Sequence, residues 1–313
     1  MPATGRAIGV RWDPRWAPEE APEIARWVEE LGYDELWMVE DCFSTGGLTM
    51  SSVALASTER LAVGVGLLPA PVRNPAIAAM EIGALARLFP GRFMPAFGHG
   101  VDAWMRRIDA RPKGRLTLLE ETVAAVRSLV RGERLDRQGR FVKLNEVELE
   151  HRPKTAPPIL VGTTGPRGLA LAGRVADGIV IPEVATPDAV SWARGLAAAS
   201  GGPGRTVVYS YLSLDRDDAA GVKAAQPLVG HWMSSGDFPD MAERAGLGRD
   251  GAVDLDEATL RSIAVAGDPA SGAGTVRGLW DAGADAVVLL PRGGDAREQL
   301  RLFADEVMPE LRA

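Results

Sequence analysis

The chain has 313 residues, 46% of them hydrophobic and 25% charged, which is enough to bury a large core as one barrel or as two modest domains. A net charge of -7 excludes non-specific nucleic-acid binding, which needs a basic face, so any anionic ligand must be held by local positive groups and backbone amides. The lone cysteine, Cys42, rules out an internal disulfide and fits a reducing, cytosolic setting. Residues Met1 to Arg6 lack an apolar signal core, and runs such as Ala286 to Leu290 are too short to span a bilayer, so neither secretion nor membrane insertion is expected.

In chain order, Ile8 to Trp12 reads as a first strand. An amphipathic helix follows over Pro18 to Leu31, with Ile24, Trp27, Val28 and Leu31 at i, i+3, i+4, i+7 and Gly32 as its stop. Glu35 to Glu40 is the second strand, Leu61 to Leu68 the third and Arg92 to Phe97 the fourth, with an alanine-rich helix opening at Pro75 between the last two. Lys113 to Arg131 is a long helix, and Arg137 to Arg152 alternates like a hairpin. Strands resume at Ile159 to Val161, Gly178 to Pro182, Thr206 to Leu214 and Ala286 to Leu290, making eight. Eight strands alternating with helices imply parallel pairing and the count of a (β/α)8 TIM barrel, an α/β fold. A single domain over 1–313 is expected, with Asp217 to Ser262, which carries His231-Trp232-Met233, forming helices inserted after the seventh strand. A doubly wound sheet with a second domain is the alternative.

The stretch Val161 to Gly168 joins a short apolar strand to a helix through Gly162, Thr163, Thr164, Gly165 and Pro166. Glycines let a ligand approach the backbone, free amides at the helix start favour an anion, and Arg167 adds a full positive charge, so this junction suits a phosphate. Gly98-His99-Gly100-Val101-Asp102-Ala103 after the fourth strand formally fits G-x-G-x-x-G/A, but a dinucleotide fingerprint belongs to a first strand-to-helix turn, and the residues after Asp102 read as a loop. His99 and Asp102 then stand at the strand end where barrel enzymes keep their chemistry. Glu40 and Asp41 bring two adjacent carboxylates to the same rim, of which one is expected to face inward. Cys42 reads as a small buried filler. Trp12, Trp104 and Trp232 fall near strand ends or loops, where they can stack on a planar ligand. His99, His151 and His231 are too far apart for metal-type spacing, and the phosphate-loop and hydrolase-elbow motifs do not occur.

Gly32 to Trp37, Arg73-Asn74-Pro75, Pro90-Gly91-Arg92-Phe93 before Gly98-His99-Gly100, Gly162 to Pro166, Ala176-Asp177-Gly178, Ala266 to Pro269 and Ala282 to Asp285 together resemble the luciferase-like monooxygenase superfamily, most closely its deazaflavin-dependent oxidoreductases. The resemblance implies a barrel that binds coenzyme F420 or FMN at the C-terminal mouth and moves a hydride between the ring and a small organic substrate. It further implies a cis peptide bond at Gly66–Leu67 buttressing the ring, a phosphate loop over Gly162 to Gly168, a contact from His99-Gly100 to the cofactor tail, and a homodimer. The runner-up is an FMN-dependent monooxygenase using reduced flavin and oxygen. Asp41-Cys42 stands where many deazaflavin relatives carry Asp-His, and Val101 where sugar-phosphate dehydrogenases carry glutamate. Asp41, Glu40, His99 and Asp102 therefore remain as the expected proton donors.

Overall fold

A computed structural model describes residues 6–183, 185–202, 204–233, 239–244, 255–291 and 294–313, with the side chains at 228 and 230–233 excepted. Among the described residues, eleven strands form in chain order: β1 (Ala7–Arg11), β2 (Glu35–Met38), β3 (Ala62–Pro69), β4 (Phe93–Gly98), β5 (Leu135–Gln138), β6 (Lys143–Val147), β7 (Leu160–Gly162), β8 (Gly178–Ile181), β9 (Arg205–Leu214), β10 (Ala264–Gly267) and β11 (Ala286–Pro291). Eight of them close a parallel ring in the order β1-β2-β3-β4-β7-β8-β9-β11, and β11 returns to β1. This is a (β/α)8 barrel. The eight expected strands are the eight of the ring. β5 and β6 pair antiparallel as the expected hairpin.

The strands of the ring are largely buried on both faces, which explains why their apolar runs read continuously instead of alternating. Outward residues such as Ile8, Val10, Leu36, Val63 and Ile179 pack against the helices. Inward residues such as Ala7, Trp37, Met94, Leu160, Val180, Tyr209 and Val288 fill the barrel. At the N-terminal end of the interior, buried Glu35 is ion-paired with Arg205 and accepts a hydrogen bond from Trp37 Nε1 at 2.8 Å.

Some elements differ from the sequence expectation. A ninth parallel strand, β10, pairs with the far end of β9 at Tyr211 to Leu214, beyond the point where β8 leaves it. Four residues of alanine, valine and glycine are too short and too small to register as a strand signal. A helix, Gly47–Ser57, lies between β2 and β3, where the sequence reading places no element. The inserted segment after β9 does contain helices: Asp218–Met233, Pro239–Arg244 and Glu257–Ile263. The side chains of His231, Trp232 and Met233 lie outside those described.

Candidate active site

At the C-terminal mouth, β7 runs into Thr163-Thr164-Gly165 and the helix Pro166–Val175, whose start has no side-chain cap. Proline supplies no N–H at Pro166, and the amides of Arg167 and Gly168 are left for a ligand. Thr163 packs where a Cβ at Gly168 would sit, which is why that position is glycine. A cavity of about 540 Å³ opens over this turn, bordered by His99, Arg115, Thr163, Thr164, Gly165 and Arg167. Arg115 begins the helix Arg115–Val130 after Gly114, which caps it at φ 93°, a conformation that favours glycine. The structure thus brings His99, Thr163, Thr164, Gly165, Pro166 and Arg167 to one cavity and adds Arg115, a basic residue that the sequence pattern hid in a polar run.

His99 lies just past β4. Burial, reinforced by the nearby Arg115 charge, pushes its pKa down to about 4, so the imidazole is neutral near pH 7. Gly100 adopts φ 70° and packs on Met105. Asp102 does not enter a loop, as its sequence context had implied. It opens the short helix Asp102–Arg107, and its carboxylate pairs with Arg106, with Arg111 and, at 3.0 Å, with Arg115. Hydrogen bonds from Arg111 and Arg106 hold it below the usual carboxylate range.

The third strand is irregular at the expected place. The Gly66–Leu67 bond is cis, and the pairing register with β4 shifts between Val65 and Leu68. The Leu67 side chain lies across Gly98 and Gly162: a Cβ on Gly162 would come within 2.6 Å of Leu67 Cδ2, and one on Gly98 would meet the same methyl. Leu67 therefore packs over Gly98 and Gly162 and ties β3 to β4 and β7.

On the other side of the mouth, β2 ends at Met38, earlier than the sequence reading, so Glu40 and Asp41 sit in the loop beyond it. They do face different ways. Asp41 Oδ2 accepts from Arg11 Nη2 at 2.7 Å, whereas Glu40 is bidentate on Arg73, with Nη2 to Oε2 at 2.8 Å, and also accepts from the Gly47 amide at 3.0 Å. Cys42 is half-buried rather than buried. Burial first, then Glu40 and Asp41, raise its pKa, so it is held as a thiol. Trp12 is fully buried in an edge-to-face contact with Trp16 at 5.2 Å and presents no face to a ligand.

Three residues at this mouth escaped the sequence reading. Arg11, at the inner end of β1, is almost fully buried. Burial opposes its charge, and the facing Glu183 and Asp41 outweigh that, raising its pKa. Glu183 follows β8 and is itself buried. Tyr209 points inward from β9, edge-on to Trp37 at 5.9 Å, and its hydroxyl occupies the space that a Cβ on Gly66 would need. One signal was available: Arg11 interrupts an otherwise apolar strand.

The profile of the luciferase-like monooxygenase family matches residues 7–286. The chain belongs to that family. Among curated members, it is 24% identical to the 5,10-methylenetetrahydromethanopterin reductase of Methanolobus tindarius, over 96% of this chain and 99% of the relative. It is 25% identical to the F420-dependent glucose-6-phosphate dehydrogenase of Nakamurella multipartita, over 93% and 92%. The barrel superposes on the coenzyme F420 dependent tetrahydromethanopterin reductase of Methanopyrus kandleri with a TM-score of 0.84 at 21% identity, covering 97% of this chain and 99% of that one.

Proposed function

We infer that this member of the luciferase-like family is an oxidoreductase that moves a hydride between coenzyme F420 and a small organic substrate. The observation that carries the reading is full-length similarity to two kinds of enzyme, a methylenetetrahydromethanopterin reductase and an F420-dependent dehydrogenase, in a chain whose barrel mouth fits a phosphate-bearing planar cofactor. The fit rests on the donor set: uncapped amides at the helix Pro166–Val175, the hydroxyls of Thr163 and Thr164, and the guanidinium groups of Arg115 and Arg167. The neutral imidazole of His99 adds a polar contact without a competing charge, and Gly100 keeps the backbone open beside it. The apolar Leu67 side chain, packed over Gly98 and Gly162 next to Gly66, supplies a seat for the ring.

The cofactor, when bound, supplies the two-electron chemistry. The chain's own residues hold its tail, seat its ring and manage the proton. Of the four proton-donor candidates, Glu40 takes two hydrogen bonds from the single guanidinium of Arg73, and Asp102 is paired with Arg106, Arg111 and Arg115. Asp41 is paired in the same way with Arg11, and His99, which borders the cavity, is neutral near pH 7 and so acts there as a hydrogen-bonding group.

We read residues 1–313 as one domain acting in the cytosol as a homodimer. No helix among the described residues is long and apolar enough to cross a membrane. The dimer is supported by the helix Pro75–Leu88, which turns Ile77, Met80 and Leu88 outward at 50%, 55% and 69% exposure along one stripe. Titrating the protein with F420 and, separately, with FMN tests the reading. F420 is expected to bind, and Arg115→Ala or Arg167→Ala to weaken it by about tenfold or more, as loss of a charge-assisted hydrogen bond implies. Tight FMN binding without F420 binding would favour the monooxygenase alternative.

A further inference from the structure

We propose that Tyr209 and Arg11 form a donor pair that receives a carbonyl oxygen of the ligand held in the barrel mouth. The inference rests on the functional reading above and adds to it the recognition of one chemical group. The Tyr209 hydroxyl is buried and has no hydrogen-bond partner among the described residues. Arg11 commits Nη2 to Asp41 at 2.7 Å, while its Nε is buried and likewise without a partner. Buried donors are almost always satisfied, and two unmet ones within electrostatic reach of each other mark a place where something else supplies the acceptor.

The position agrees with that reading. Tyr209 abuts Gly66, on the bulge of β3 proposed as the ring seat, and Arg11 reaches it from the end of β1. Both groups are donors at neutral pH, because arginine keeps its charge and burial holds the proton on the phenol. What they donate to must therefore be an oxygen with free lone pairs. A phosphate or carboxylate is disfavoured, since Asp41 and Glu183 both face Arg11. An uncharged carbonyl meets all of these conditions. Two sources carry one: the pyrimidine portion of the deazaflavin ring, and a ketone or aldehyde substrate.

Tyr209→Phe removes one oxygen and no packing volume. In the ligand-free protein this deletes an unsatisfied buried group, so Tm is expected to rise by about 1–3 °C. F420 affinity is then read by fluorescence quenching, and cyclohexanone binding to the F420 complex by ligand-observed NMR. A three- to tenfold loss of F420 affinity assigns the pair to the ring carbonyl. Unchanged F420 affinity with a similar loss for cyclohexanone assigns it to the substrate. Arg11→Lys, which keeps the charge beside Asp41 and removes Nε, is expected to reduce the same affinity. A Tyr209→Phe protein that matches wild type in both arms, or whose Tm falls, overturns the proposal. Wild-type protein that takes up no F420 instead overturns the functional reading, and the Tm of Tyr209→Phe then decides the donor pair separately.

Discussion

At the scale of single residues, the mouth is governed by which charges are paired and which side chains are buried. His99 is the clearest case. Its unfolded-state pKa lies near 6.5 and its folded-state value near 4, so between these values the unfolded chain binds more protons. Stability therefore rises with pH across that window and is lost as pH falls through it toward 4. With the imidazole part-exposed, the contribution is about 1–3 kcal/mol. Urea midpoints measured from pH 7 to 4 are expected to decline less steeply in His99→Gln than in wild type, and parallel curves would refute the burial argument. The four acid–base candidates were legible as residue types at strand ends. Their partners were not, because Arg73, Arg106, Arg111 and Arg115 reach Glu40 and Asp102 through loop and helix geometry that no local pattern encodes. Arg11 and Tyr209 were missed for a related reason: a polar side chain inside an apolar strand is visible, but its inward direction depends on which face closes the ring.

Elements carry the next level. The two glycines of the third strand, Gly64 and Gly66, stand where a bulge and close approaches occur. Gly64 lies under the Trp37 indole, and Gly66 lies against the Tyr209 hydroxyl and ring. Gly66→Ala would push a methyl into that rigid ring, so it is expected to destabilise the protein by about 1–3 kcal/mol, read as a lower urea midpoint. Gly66→Ala combined with Tyr209→Leu should recover part of that loss, whereas equal stability of Gly66→Ala and wild type would show that the packing is not as described. Side chains cap two helix starts: Asn74 accepts from the Ala76 amide at 2.9 Å, and Asp268 accepts from the Ser271 amide at 2.7 Å. The helix Gly47–Ser57 was hidden because it starts without a side-chain cap and is apolar on more than one face, with Leu48, Met50, Ala54 and Leu55 all buried. Periodicity finds helices that are half wet, and this one is not.

For the whole molecule, the alternation of strands and helices was enough to specify the ring, because parallel strands need crossovers and eight of them close a barrel. The position of the mouth followed, since loops at the carboxyl ends of the strands converge there. Assembly is a separate matter. An apolar stripe of Ile77, Met80 and Leu88 left in water is unfavourable and is relieved by a second copy of the chain. Met80→Glu is expected to shift the protein from dimer to monomer in analytical ultracentrifugation while leaving the thermal unfolding of each subunit cooperative. Identical sedimentation of variant and wild type would remove this helix from the interface.

The central claim is that the barrel mouth grips a phosphate-bearing deazaflavin between the turn after β7 and the bulge of β3. A crystal structure of the protein soaked with F420 tests it most directly. The phosphate is expected within hydrogen-bond distance of the Arg167 and Gly168 amides and the Arg115 guanidinium, with the ring resting against Gly66 and Leu67. F420 bound elsewhere on the barrel, or a phosphate that leaves those amides untouched, would contradict the account.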